Sequence, residues 1–224
     1  MEAVRPALQK TIEEWRCFER DLSEVSLHTT RVRCALQHQP LFSLKQAKGY
    51  LDLLQQLQEM AGKGEELWAS VDKSYQSLVK SLHCATTQML DDQMRGEQKR
   101  WKDVVLELKD EHMKTAETLL RWQEYTRLSD QCSLQLQTLR RQWEEQSRCS
   151  PQQDKQAMLH SVEKLQDAAE DLQRSVGDVL AASKPLIGQL DPLVSNLIQS
   201  ETRLLSRDVL LLSQAISGKK RGVQ

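Results

Sequence analysis

The stretch from Glu97 to Ser150 contains neither proline nor glycine, and apolar residues recur in it at every seventh position. One heptad position is occupied by Trp101, Leu108, Thr115, Trp122, Ser129, Leu136 and Trp143, and the companion stripes by Gln98, Val105, His112, Leu119, Tyr125, Cys132 and Leu139. A heptad pattern of this length predicts one long helix of coiled-coil character. At about 1.5 Å per residue the helix would span roughly 80 Å, which indicates an elongated rod.

The composition fits long helices in water, because 28% of the 224 residues are charged, only 4% are aromatic, and there are just eight glycines and five prolines. The formal net charge of −1 argues against nucleic acid as a partner and against a strongly basic membrane-binding face. The five cysteines are widely spaced without a CxxC motif, which indicates reduced thiols in a cytosolic protein. No apolar run approaches the ~20 residues of a membrane span, so we expect a soluble chain.

Two helices are predicted before the long one. The first carries Leu8, Trp15, Leu22, Thr29 and Leu36 on one heptad position and should end near His38, ahead of Pro40. Ser43 to Gln46 has the form of a capping box and should open the second helix. Its stripes are Tyr50, Leu57, Gly64, Val71 and Leu78, with Leu53, Met60, Leu67 and Ser74 as companions. We expect this helix to continue across Gly62 and Gly64; two helices broken at Gly62–Gly64 are the alternative.

The remaining boundaries come from caps and prolines. A turn is predicted in Ala85–Asp92, with the third helix starting near Asp92. Ser150 to Gln153 repeats the capping box, Pro185 should kink the fourth helix, and Asp191-Pro192 should open the fifth. The fifth helix is expected to bury Leu197, Leu204 and Leu211 on one stripe, with Ile198, Leu205 and Leu212 beside them.

The chain also repeats itself, since Trp122 and Tyr125 follow Trp15 and Phe18 at an offset of 107 positions. We therefore predict an all-α fold of two tandem three-helix bundles, 1–117 and 118–224, joined by a continuous linker helix. The predicted structural core contains Trp15, Phe18, Trp101, Trp122, Tyr125 and Trp143. The same offset places Asp208 where the first unit has Trp101. The second unit therefore lacks its third-helix tryptophan, and we expect it to be less stable.

The paired aromatics at this period, together with Arg100-Trp101, resemble spectrin repeats over nearly the whole chain. The amino-acid sequences of the segments Ser77–Trp101 and Thr118–Tyr125 are most similar to the nesprin family of nuclear-envelope spectrin-repeat proteins. That resemblance implies a scaffolding rod in a linker between the actin cytoskeleton and the nuclear envelope. It implies cytoskeletal, actin-associated and nuclear-envelope protein partners, and a location at the cytoskeleton, the outer nuclear membrane and the nucleus. Nothing resembles the actin-binding domain or membrane-anchoring tail of full nesprins, so we expect a rod fragment or a short form.

No catalytic, cofactor-binding or metal-binding residues are predicted, and we expect no enzyme activity. His83-Cys84 has no further ligand at metal spacing, and the other histidines are scattered. A dimeric membrane-associated helical module that senses or shapes bilayers is the alternative function, and self-association stays open. Such a module needs a concave basic face, whereas basic and acidic residues are interleaved here, as in Arg140-Arg141 and Glu144-Glu145.

Overall fold

A computed structural model describes residues 4–36, 41–82, 84–148 and 155–223. Five α-helices account for the regular structure of these residues: α1 (Val4–Ala35), α2 (Leu44–Val79), α3 (Cys84–Arg148), α4 (Lys155–Ser183) and α5 (Pro192–Val223). The described ranges contain no strand. The all-α class predicted from the heptads is thereby confirmed.

The helices form two compact units. Unit 1 comprises Met1–Gln39 and Lys48–Ala116, and unit 2 comprises Pro40–Ala47 and Glu117–Gln224. Helix α3 runs without interruption through positions 116 and 117 and contributes to both units. Each unit therefore draws on three helical segments. The absence of proline and glycine from Glu97 to Arg148 explains why α3 does not break at this boundary.

Two helix starts carry the predicted caps. The Gln46 amide donates to Ser43 Oγ at 3.2 Å, and the Phe42 amide donates to Gln46 Oε1 at 3.2 Å, ahead of α2. The Leu193 amide donates to Asp191 Oδ1 at 2.8 Å, so Asp191 is the N-cap of α5. The second predicted capping box, Ser150 to Gln153, lies outside the described residues.

Three predicted boundaries are corrected by the structure. The turn before α3 lies at residues 80–82, and α3 already begins at Cys84, so a turn in Ala85–Asp92 is wrong. Buried Leu90 and Met94 continue the apolar stripe of α3 upstream of Trp101, and their burial holds this segment helical. Helix α1 ends at Ala35, before the predicted end near His38, and residues 37–40 lie outside the described residues.

Pro185 ends a helix, where a kink was predicted. Helix α4 stops at Ser183, and residues 184–189 form turns in which the Leu186 amide donates to the Ser183 carbonyl oxygen at 3.1 Å. Gly188 has a φ of 99°, in the left-handed region that favours glycine. Proline and a left-handed glycine so close together explain why the chain cannot return to the same helix.

Helix α2 passes through Gly62 and Gly64 without a break, which excludes the two-helix alternative. Its first predicted stripe is correct, but the companion stripe is shifted by one residue. The buried companions are Leu54, Ala61 and Trp68, where Leu53, Met60 and Leu67 were predicted. A heptad stripe alternates steps of three and four residues, and α2 takes the step of four after Tyr50, Leu57 and Gly64.

The stripe predicted to be buried on α5 faces solvent. Leu197, Leu204 and Leu211 are each more than half exposed, whereas the opposite side of the helix is buried. The buried residues of α5 are Ser195, Ile198, Thr202, Val209, Leu212 and Ile216. Helix α5 carries leucines on both sides, so its apolar pattern alone does not identify the core side.

Candidate functional site

The described residues hold no cluster of metal-ligating side chains. None of their His, Cys, Asp and Glu side chains form a group of three or more that could hold a metal ion. Across the same ranges, no helix combines the length and apolar character that crossing a membrane requires. The side chains of His83 and Cys84 lie outside the described residues. The structural features that bear on function are the packing of each unit and the surfaces that this packing leaves exposed.

Trp101 is the centre of one packed layer in unit 1, which we call the Trp101 layer: His28, Gly64 and Trp101. Trp101 is only 6% exposed, and its ring lies 5.7 Å from the His28 ring, centroid to centroid. His28 Nε2 is hydrogen bonded to the Met60 carbonyl oxygen at 2.9 Å. A Cβ atom at Gly64 would lie 2.3 Å from Trp101 Cη2. The glycine is therefore required by the close approach of the indole ring.

Unit 2 repeats the buried pattern of unit 1 at two different offsets. The second part of α3 follows α1 at 107 positions, as in Phe18/Tyr125, Val25/Cys132 and Val32/Leu139. The later helices follow at 108 positions: Leu54/Val162, Leu57/Leu165, Val71/Val179, Leu78/Leu186, Leu90/Ile198, Val104/Leu212 and Leu108/Ile216. The segment from Leu139 to Val162 is thus one residue longer than the segment from Val32 to Leu54, which shifts the register of the last two helices.

The shift corrects the residue predicted at the position of Trp101. At 108 positions, Val209 corresponds to Trp101 and Leu172 corresponds to Gly64. Both aliphatic side chains are 2% exposed and belong to the core cluster of unit 2. Asp208 is half-buried, and its Oδ2 lies 2.7 Å from an Arg140 guanidinium nitrogen. Unit 2 lacks the tryptophan, but no charge takes its place in the core.

The other predicted core aromatics differ in burial. Phe18, Trp122 and Tyr125 are buried, and the Phe18 ring lies 6.0 Å from the Tyr75 ring. Trp15 is only half-buried. That the six predicted aromatics together form the structural core stays a prediction.

Trp143 is also half-buried and is covered by a lysine from α5. Lys219 Nζ lies 5.3 Å from the Trp143 ring centroid, and it donates to the Gln146 carbonyl oxygen at 3.1 Å. A cation over an indole face is attracted by the ring quadrupole, and the freed carbonyls at a helix C-terminus attract positive charge. Lys220 donates to Gln166 Oε1 at 3.0 Å. Both lysines therefore fasten the last turns of α5 within unit 2.

Trp68 and His28 were missed as structural residues, and Gly64 was predicted on the apolar stripe without its contact with Trp101. Trp68 is buried, and its indole Nε1 has no hydrogen-bond partner among the described residues. The step of four from Gly64 to Trp68 was the available signal in the sequence. His28 gave no signal, because its role depends on the Met60 carbonyl and the Trp101 ring, which come from two other helices.

Two tyrosines of unit 1 have strongly raised pKa values. Burial, followed by the charge and hydrogen bond of Glu111, raises the pKa of Tyr50 to about 12. The hydrogen bond from the Tyr75 hydroxyl to Asp91, followed by burial, raises the pKa of Tyr75 to about 12. Asp91 thus lies inside α3, as a hydrogen-bond acceptor for α2. Both contacts connect α2 to α3 and are weakened when the phenol ionises.

The solvent-facing side of α5 carries a complete heptad seam, which we call the α5 leucine face: Leu193, Leu197, Ser200, Leu204, Arg207, Leu211 and Gln214. Its four leucines are between 52% and 72% exposed. Steps of four and three residues separate its members, as in a helix that packs against a partner helix. The face thus exposes four leucines together with the polar side chains of Ser200, Arg207 and Gln214.

Comparison with known proteins gives one distant relative. The chain is 22% identical to human Nesprin-2 over 135 residues, which cover 59% of this chain and 2% of the Nesprin-2 chain. The chain therefore spans a very small part of the curated relative that it matches. No known family profile matches the chain. No solved structure matches it either. The similarity agrees with an all-helical, spectrin-like character.

Proposed function

We propose that each unit is a three-helix repeat of the spectrin type and that the chain is a structural segment of a nesprin-like linker. In this role it is an elongated spacer that holds cytoskeletal and nuclear-envelope proteins and presents helix surfaces on which they dock. The proposed location is the cytoskeleton and the nuclear envelope. The role is mechanical and non-enzymatic, so it needs no cofactor.

The recurrence of buried positions at 107 and 108 residues is the observation that carries this proposal. Matching core positions in three consecutive helical segments are what a tandem repeat requires. The uninterrupted passage of α3 from unit 1 into unit 2 supports the same interpretation. The similarity to Nesprin-2 supports the assignment to a nesprin-like protein, and the cytoskeletal and nuclear-envelope partners follow from that resemblance.

The location can be tested by expressing the full chain with a fluorescent tag and imaging it with markers of the nuclear rim and of actin filaments. We expect enrichment at the rim or along filaments that survives gentle detergent extraction. The matched control is Trp101→Ala, which removes a core side chain from unit 1 and should reduce the enrichment. A distribution identical to that of the tag alone would contradict the linker role.

Sedimentation with purified actin filaments then separates direct from indirect attachment. Pelleting of the purified chain in proportion to filament concentration would show direct binding. If the chain is enriched along filaments in cells but stays in the supernatant here, an actin-associated protein connects them. Both outcomes agree with a spacer. If the chain is not enriched along filaments in cells and does not pellet with purified filaments, the cytoskeletal part of the proposal is rejected.

A further inference from the structure

The α5 leucine face is built like one half of a helix pair. All seven of its seam positions are exposed, and its leucines are separated from the buried residues Ile198, Val209 and Ile216 on the other side of α5. Single exposed leucines are ordinary on protein surfaces, but leucines at seam spacing over three heptads are not. The spacing indicates a surface for a helix.

Two arginines and two acids of α5 lie on or beside this face. Arg207 is exposed on the face and Arg203 is exposed beside it, and Arg203 has no ion pair within the described ranges. The two neighbouring acids are engaged with α3, since Glu201 accepts a hydrogen bond from the Tyr125 hydroxyl and Asp208 pairs with Arg140. Arg207 forms an ion pair with the same Asp208, with 3.6 Å between a guanidinium nitrogen and Oδ1. Arg203 is therefore the exposed charge beside the leucines that no acid within the described ranges neutralises.

We propose that the α5 leucine face binds an amphipathic helix of a partner protein in which acidic residues flank the apolar stripe. The leucines would bury against the partner's stripe, and glutamates or aspartates would pair with Arg203 and Arg207. A second copy of this chain fits less well. In a parallel pair with matched heptads, Arg207 would lie opposite Arg207 of the other copy, which like charges disfavour.

This surface deepens the proposed scaffold role and rests on it, because it names the kind of partner that one unit can hold. Its test is separate from the test of location. A chain that is enriched at the nuclear rim but does not bind an acidic helix would reject only the surface. A chain that binds the helix but is distributed like the free tag would reject only the nesprin-like location.

The probe is a synthetic, fluorescently labelled helix of about four heptads, with leucines on its seam, glutamates on both flanks and a glutamate opposite Arg207. Its own negative flanks keep it from pairing with itself. A second peptide carries lysine at each glutamate position. Fluorescence anisotropy with the purified full chain measures both dissociation constants. We expect the glutamate peptide to bind at least about tenfold more tightly than the lysine peptide, with a smaller difference at high salt.

Variants of exposed residues locate the binding without disturbing the fold. Leu204→Ser with Leu211→Ser should weaken binding of the glutamate peptide about tenfold or more, because it removes half of the leucines. Arg203→Glu with Arg207→Glu should reverse the preference between the two peptides. The matched control is Leu27→Ser in unit 1, whose side chain is similarly exposed and which should change neither constant. Circular dichroism confirms that each variant retains its helix content.

Four results would overturn the proposal. Equal affinity for both peptides would remove its charge basis, and absence of binding would remove the surface. A dimer in sedimentation equilibrium that Leu204→Ser dissociates would show that a second copy covers the face. Binding to phosphatidylserine vesicles, lost in the Leu204→Ser/Leu211→Ser variant and without peptide binding, would show that the face meets a membrane.

Discussion

The two units fill the same core layer in different ways. In unit 1 a tryptophan from α3 meets a glycine in α2, and the corresponding positions of unit 2 hold Val209 and Leu172. One pair combines the largest side chain with none, and the other combines two of intermediate size. The comparison teaches that the two units bury corresponding positions, while the volume at those positions is divided differently between the helices.

The same comparison changes the expected stability of unit 2. A lower stability was expected because unit 2 has no tryptophan at the position of Trp101, which the offset of 107 positions assigned to Asp208. The residue in that layer is Val209, while Asp208 pairs with Arg140 at the edge. The expected difference in the free energy of unfolding between the two units therefore comes from the different apolar area buried in two filled layers. No buried charge adds to this difference.

The largest difference between the units should appear when each layer is truncated. Trp101→Ala should lower the free energy of unfolding by about 3–5 kcal/mol, because it removes a buried indole and opens a cavity. Val209→Ala removes far less volume and should cost about 1–3 kcal/mol. Urea unfolding followed by circular dichroism measures both. Equal losses would show that the two layers do not differ as described.

The two glycines of α2 should respond to alanine with opposite signs. Gly64→Ala places a Cβ against the Trp101 ring and should destabilise the chain by on the order of 1 kcal/mol, even after the gain in helix propensity. Gly62→Ala meets no atom within 4 Å and should stabilise it by up to about 1 kcal/mol. Thermal unfolding midpoints give both signs. A stabilising Gly64→Ala would contradict the close approach of the indole.

Alkaline pH should weaken unit 1 through Tyr50 and Tyr75. Both phenols are neutral in either state below pH 10, the usual tyrosine value. Above it the unfolded chain ionises first, because the folded pKa of each is about 12. Stability should therefore fall between about pH 10 and pH 12. The variant Tyr50→Phe/Tyr75→Phe should show a shallower decline in urea titrations at several pH values, and an unchanged slope would reject this cause.

The smallest effect is expected from the ion pair of unit 2. A double-mutant cycle with Arg140→Gln and Asp208→Asn should give a coupling energy of about 0.2–1 kcal/mol, since the pair is partly exposed. The coupling should shrink in high salt. A coupling of several kcal/mol would mean that Asp208 lies deep in the core, as the offset of 107 positions suggested.

The sequence predicted the features that depend on short-range chemistry. The helix caps at Ser43 and Asp191 follow from side chains that reach nearby amides, and the continuity of α3 follows from an unbroken heptad. The start of α3 was missed because polar residues such as Asp91 and Asp92 obscure the buried Leu90 and Met94.

The features that depend on other helices could not be predicted. Helix α5 offers Leu204 and Leu205, and then a run from Val209 to Leu212, so its pattern permits either face to be buried. Packing against α4 and α3 decides the matter. In the same way, the sequence alone presents Gly64 as a residue that weakens α2. Its contact with the Trp101 indole depends on the packing of α3 against α2.

The central claim is that Gly64 and Trp101 form one complementary pair that unit 2 replaces with Leu172 and Val209. A double-mutant cycle that moves the unit 2 residues into unit 1, with Gly64→Leu and Trp101→Val, tests it most directly. We predict that each single variant is strongly destabilised and that the double variant recovers about 1–3 kcal/mol relative to their added losses, because the leucine occupies the space left by the indole. Strictly additive losses in urea unfolding would contradict the claim.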